Sequence, residues 1–194
     1  MARYISVVET ARMIRTALRE AFPGVRFSVR SSSYSGGASI NINYTDGPSA
    51  EQVRAITGNF EGSYFDGMTD YKGLNYSSVN GEEVRFGADF IFVNRSFTVP
   101  VLTGVVVEVC NLYGFDNEVT IDSGSGNYGA FIKEIGRNAD SEARGFAVYD
   151  IQRIIQENVS KVSLCETQVS ATAGSVAFLG DDGYGYGAVG RLAA

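Results

Sequence analysis

Carboxylates, arginines and tyrosines are what this chain offers for chemistry, because it contains no histidine. The usual general base, the usual activator of a serine or cysteine nucleophile and the commonest metal ligand are therefore missing. Acid–base work would fall to carboxylates such as Asp66, Asp70 or Asp89. Asp89 sits between Ala88 and Phe90 in an apolar run, where burial could perturb its carboxyl. The competing and favoured reading is an aspartate satisfied by structural partners. Cys110 and Cys165 stand 55 positions apart with no metal-ligand spacing. Cys110, inside the apolar run Val105–Leu112, reads as a buried free thiol. No catalytic set, metal or cofactor is expected.

The arginines fall into two groups. Placed at 100° per residue, Arg12, Arg15 and Arg19 share the flank of an apolar stripe formed by Val7, Ala11, Ile14, Leu18 and Ala21. Arg26 and Arg30 alternate with Val25, Phe27 and Val29, so they share a strand face with Ser28. Both sets read first as solvated surface. With Tyr34 they also make a phosphate-binding and base-stacking surface, the nucleic-acid reading of this chain. Near the end, Gly180–Gly190 carries Asp181, Asp182, Tyr184 and Tyr186 between glycines. It is either a flexible end or an adaptable contact loop.

The elements that must hold these residues are legible in the first half. Ser6-Val7-Val8-Glu9 has capping-box form, and Pro23-Gly24 stops the helix that follows. Val25–Arg30 and Ala38–Tyr44 alternate with a period of two and predict an antiparallel pair, one face covered by the helix. The loop between them is rich in Ser and Gly but lacks P-loop spacing and its Lys. A second helix follows Asp46-Gly47-Pro48, with Val53, Ile56, Thr57 and Phe60 inward. Gly62–Gly67 reads as a loop and Met68–Val79 as extended. Asn80-Gly81 predicts a hairpin into one central strand, Val84–Asn94, with Gly87 admitting a close neighbour. Farther on, Val101–Tyr113 reads as a buried helix after Pro100, ended by Gly114. Glu118–Asp122 and Tyr128–Ile132 read as a hairpin. Phe146–Val162 has a helical face of Val148, Ile151, Ile155, Val159 and Val162, and Val169–Leu179 reads as a strand.

Together these predict an α+β fold: an antiparallel sheet packed on one face by helices, with an elaborated α+β second half. Residues 1–98 form the expected first domain. Residues 99–194 form a second portion ending in a Gly/Tyr-rich tail, 180–194. The first 98 residues hold 10 basic and 10 acidic side chains and the remainder 6 and 12, so the net charge of −6 arises in the second half. Such acidity suits a basic partner. No apolar run of membrane-spanning length and no signal-peptide pattern is visible, so a cytoplasmic protein is expected.

Several strings resemble one family. They are Thr10-Ala11 with Ile14-Arg15 and Ala17-Leu18, Phe22–Arg30, Ser31–Ile40, Tyr44–Pro48, Phe60-Glu61-Gly62, Phe65–Met68 and Val84–Phe92. In order and content this series resembles the twenty-ninth of the large polyvalent protein associated domains, over roughly residues 8–98. The resemblance implies a phage, plasmid or integrative-element context in the bacterial host cell. It implies no reaction and no catalytic residues. A free-standing domain of this kind, without histidine and with an acidic second half, is expected to bind and block a host defence complex of anti-CRISPR or anti-restriction type. Arg26, Arg30, Tyr34, Asp181, Asp182, Tyr184 and Tyr186 are the partner-binding candidates. The alternatives are a nucleic-acid-binding accessory protein using Arg12, Arg15, Arg19, Arg26 and Arg30, and a carboxylate-dependent enzyme.

Overall fold

The structure is a computed structural model and describes residues 2–114, 119–124, 129–135 and 148–184. It is α+β, with mainly antiparallel sheets, and divides into two compact units that are discontinuous along the chain. The first contains the described residues of 1–43, 52–94 and 167–194, and the second those of 44–51 and 95–166.

In the first unit, a short strand β1 (Arg3–Ile5) leads into helix α1 (Val7–Ala21). The capping box forms as expected, with Ser6 accepting from Glu9 N while the Glu9 carboxylate accepts from Ser6 N. The whole predicted stripe of α1 is buried, together with Thr10 and Ala17. Burying Ile14 and Leu18 alone contributes roughly 1.5–3 kcal/mol each. The chain turns at Pro23-Gly24 into β2 (Ser28–Tyr34) and β3 (Gly37–Thr45), which pair antiparallel in the register Val29↔Ile42, Arg30↔Asn41, Ser31↔Ile40. Val29, Ile40 and Ile42 are buried and Arg30 is exposed, the alternation read from the sequence. The strand starts three residues later than predicted, and Val25-Arg26-Phe27 is irregular.

Helix α2 (Ala50–Thr57) continues as a turn of 3₁₀ helix, Gly58–Phe60. Gly62–Gly67 is not only loop. Ser63–Asp66 forms β4, because it finds a partner in β5 (Tyr71–Val79), with Ser63↔Leu74 and Phe65↔Lys72 opposed. The Asn80-Gly81 hairpin forms as predicted and joins β5 to β6 (Glu82–Phe86). The order across this sheet is β1-β6-β5-β10, with β10 (Val176–Asp181) antiparallel to β5 and β1 parallel to β6.

The expected single strand Val84–Asn94 is instead two. It breaks at Gly87-Ala88-Asp89, and β7 (Phe90–Ser96) leaves the first sheet for a second one ordered β2-β3-β7. The cause lies in the partners at the break. Gly87 N donates to Ile5 O on β1 (2.7 Å), whereas two residues later Asp89 N donates to Ala38 O on β3 (2.8 Å). Val84, Phe86 and Ala88 are buried, but Phe92 is half exposed because it belongs to the other sheet. The segment 169–179 likewise departs from prediction. Ser170 caps a single helical turn, Ala171–Gly174, before β10 begins.

In the second unit, helix α3 (Val99–Tyr113) starts with Pro100 in its first turn and ends at Gly114 in the left-handed region, as read from the sequence. The predicted hairpin is β8 (Val119–Ser123) with β9 (Ala130–Ile135), and helix α4 spans Val148–Lys161. Leu102, Val105, Val106, Val109 and Cys110 of α3 form one apolar cluster with Ala130, Ile155 and Val159. Cys110 is the buried free thiol that was expected, and burial pushes its pKa up. Arg95 donates to the carbonyls of Asp46, Gly47 and Val162 and lies over the Phe97 ring.

Candidate functional site

The break between β6 and β7 builds a polar cavity of about 380 Å³ within the first unit. Its centre is Asp89, which lies in the link between the two strands and is tied by its backbone to Ala38 of β3. Asp89 Oδ2 accepts from Ala38 N at 2.9 Å and from Lys72 Nζ at 2.7 Å, while Oδ1 accepts from Ser63 Oγ at 2.9 Å. Lys72 also donates to Gly36 O (3.3 Å) and stands over the Phe90 ring. Burial alone would raise the Asp89 pKa. The bonds from Lys72, Ala38 and Ser63 outweigh it and hold the carboxyl below the ordinary range. Of the two sequence readings of Asp89, the structure shows the satisfied one.

Backbone closeness shapes the cavity floor. Gly62 N donates to Ala88 O at 2.7 Å, and a Cβ at Gly62 would collide with Phe86 O. At Gly87 a Cβ would collide with the hydroxyl of Tyr4, which lies across it, so the close neighbour expected at Gly87 is the β1 strand and this tyrosine. Ile91 N donates to Glu61 Oε1 (2.8 Å), fixing the start of β7. The family-like strings around residues 36, 62 and 87 thus converge on one place, although they lie far apart in sequence.

A second cluster gathers at the end of β10. Asp182 accepts from Tyr64 Oη (2.7 Å), Tyr71 Oη (2.9 Å) and Leu74 N (2.9 Å), and Tyr184 stands edge-on to Tyr71. Burial opposes ionisation of Asp182, but these donors prevail and lower its pKa. The same bond from Tyr71 to the carboxylate raises the Tyr71 pKa. Asp181 accepts from Gly183 N in a tight turn (2.9 Å), and Tyr184 is 79% exposed. Tyr186 lies outside the described residues.

The arginines do not form one ridge. Arg15 Nη2 donates to Val29 O (2.8 Å), bridging α1 to β2. Arg12 lies beside Glu9, and Arg19 is exposed in the last turn of α1. Arg30 and Tyr34 do share the polar face of β2, where Tyr34 is half exposed, whereas Arg26 is exposed in the irregular link before the strand. Lys72, Ser63 and Tyr4 carry the cavity and were not singled out from the sequence. Their meeting depends on strand pairings, for which periodicity is silent. Among the described residues no group of three or more Cys, Asp or Glu could hold a metal ion.

The first unit is thus an α+β domain whose two sheets meet at a small polar cavity. Residues 5–98 match the family model of large polyvalent protein associated domain 29, the family that the sequence strings resemble. The family associates the protein with phages and mobile elements. No curated protein and no solved structure matches the chain. Among the described residues no helix is long and apolar enough to cross a membrane.

Proposed function

We propose that the chain is a non-catalytic counter-defence protein of a phage or mobile element, acting in the bacterial host cytoplasm. It binds a host defence complex, of anti-CRISPR or anti-restriction type, and blocks it. The observation that supports a binding role is the state of Asp89. Its carboxylate takes three donors, Ala38 N, Lys72 Nζ and Ser63 Oγ, the setting of an aspartate that ties strands together. The exposed groups suit recognition instead. Tyr34 and Tyr184 are large and rigid, Arg30 accompanies Tyr34, and tyrosine and arginine are the side chains that anchor protein interfaces. The acidic excess of residues 99–194 complements a basic, nucleic-acid-binding surface.

The test is expression in bacterial hosts carrying defined defence systems, with phage or plasmid survival as readout and recovery of the tagged protein's partner. Protection that disappears in a Tyr34→Ala/Arg30→Ala or Tyr184→Ala variant of unchanged stability is the expected result. Failure to protect against any system, with no defence component recovered, overturns the reading. A nucleic-acid accessory role would show itself as DNA or RNA binding that weakens steeply between low and moderate salt.

A further inference from the structure

The cavity at Asp89 is flanked by a second one of about 310 Å³, lined by Arg3, Glu9 and Arg12, and Tyr4 lines both. Each is of the size at which proteins begin to hold small ligands, roughly 300 Å³ and upwards. Their hydrogen-bonding capacity is lopsided. The acceptors are largely engaged: Asp89 takes Ala38, Lys72 and Ser63, and Glu9 Oε2 takes two donors from Ser6. Donors remain. Lys72 uses two of its three N–H groups, on Asp89 and Gly36. Arg85, exposed on β6 directly beside Tyr4, has no hydrogen-bond or ion-pair partner among the described residues. The four cations Arg3, Arg12, Lys72 and Arg85 face only the two carboxylates Glu9 and Asp89. In a chain of net charge −6 this is a local island of positive charge. Between its halves the Tyr4 ring is 65% exposed, a stacking surface with cations on both sides.

We propose that this paired cavity binds a nucleotide through its phosphate. Arg85 and the remaining Lys72 proton hold the phosphate, Tyr4 stacks on the base, and Arg3 and Arg12 attract further negative charge on the other side of the ring. An oxygen-rich dianion fits a site with cationic donors left over. A guanidinium gives it planar, charge-assisted bonds, and a base gains from an aromatic platform. Tyr34 stands beside Gly37 at the rim of the first cavity, but nucleotide binding does not depend on the partner proposed above.

The nucleotide could be free or the 5′ end of a strand. Both present the same phosphate ester, and calorimetric titration of the full chain separates them. The probes are AMP, adenosine, inorganic phosphate, and a short single-stranded DNA with and without a 5′ phosphate. AMP is expected to bind, with adenosine at least about tenfold weaker and phosphate competing. Arg85→Gln should weaken AMP about tenfold or more, whereas Tyr4→Ala should weaken AMP and leave inorganic phosphate unchanged. Circular dichroism confirms that both variants fold; should Tyr4→Ala not fold, Tyr4→Ser replaces it. If the phosphorylated strand displaces AMP the natural ligand is a strand end, and if only AMP binds it is a free nucleotide; either outcome upholds the site. Equal binding of AMP and adenosine, displacement of AMP by both strands to the same degree, indifference to Arg85→Gln, or no binding of any probe overturns it.

Discussion

Both units have apolar cores, but they differ in what else is buried with them. In the first, polar groups sit in the interior: Ser63, Asp66, Asn75, Ser77 and Ser78 are all buried, and Asn75 Nδ2 donates to the carbonyls of Glu61 and Ser63. In the second, the buried cluster of α3, α4 and the β8–β9 hairpin is apolar. Apolar packing is non-directional and tolerates repacking at constant volume. Buried hydrogen bonds are directional and costly to leave unmade. The lesson is that the unit with the cavity adds directional bonds to an apolar core, whereas the helical cluster of the other rests on filled volume.

Four perturbations test this contrast, from the largest effect to the smallest. Ile155→Ala in the second unit removes a fully buried side chain from a closed cluster. It should cost about 3 kcal/mol in urea unfolding, with hydrogen-exchange protection lost most in α3 and α4. Asp89→Ala leaves the Lys72 ammonium, Ala38 N and Ser63 Oγ without their acceptor, and that carboxylate is only 18% exposed. About 2–3 kcal/mol should be lost. An effect no larger than that of an ordinary surface change would break the contrast. Asp89→Asn keeps an acceptor of the same shape and should cost only about 1 kcal/mol by the same measurement. The smallest change, about 0.3–0.5 kcal/mol, is expected for Arg153→Ala, whose pair with Glu157 on α4 is half exposed.

Acidification sharpens the comparison. Asp89, Asp182, Glu20 and Glu9 all belong to the first unit, and all have pKa values lowered in the folded chain. The Glu20 carboxylate caps the turn at residues 171–174, accepting from Thr172 N, Thr172 Oγ1 and Ser170 Oγ. A lowered carboxyl stabilises the fold at neutral pH, and its contribution disappears as pH falls through and below the usual carboxylate range. Protection of β5 and β10 amides should therefore fall with pH over that interval. Asp89→Asn should flatten the fall, because its amide does not titrate.

Much of the architecture was written in local signals. The capping box at Ser6, the α1 stripe, the β2–β3 alternation, the Asn80-Gly81 turn and the Pro100 to Gly114 helix all rest on residues within one element. What escaped is non-local. Strand β1 has three residues, too few for a period, and β4 exists because β5 pairs with it. The 87–89 break hid inside an unbroken apolar alternation, with Gly87 as its one local mark. The site divides the same way. Asp89 stood out by its setting, but its partners Lys72 and Ser63 are 17 and 26 residues away. Asp182 was read as part of a flexible end or a contact loop, whereas Tyr64 and Tyr71 meet it only because β10 returns to β5.

The link from Phe86 to Phe90 is constrained in length as well as in identity. It joins strands of two sheets, and each of its residues already answers to a fixed address: β1 for Gly87, Gly62 for Ala88, β3 for Asp89. One extra residue would turn every β7 side chain to the opposite face or pull Asp89 away from Lys72. Surface connections usually tolerate insertions and deletions. This one should not, so a library of single-residue insertions along the chain should show a gap here as deep as any within α1.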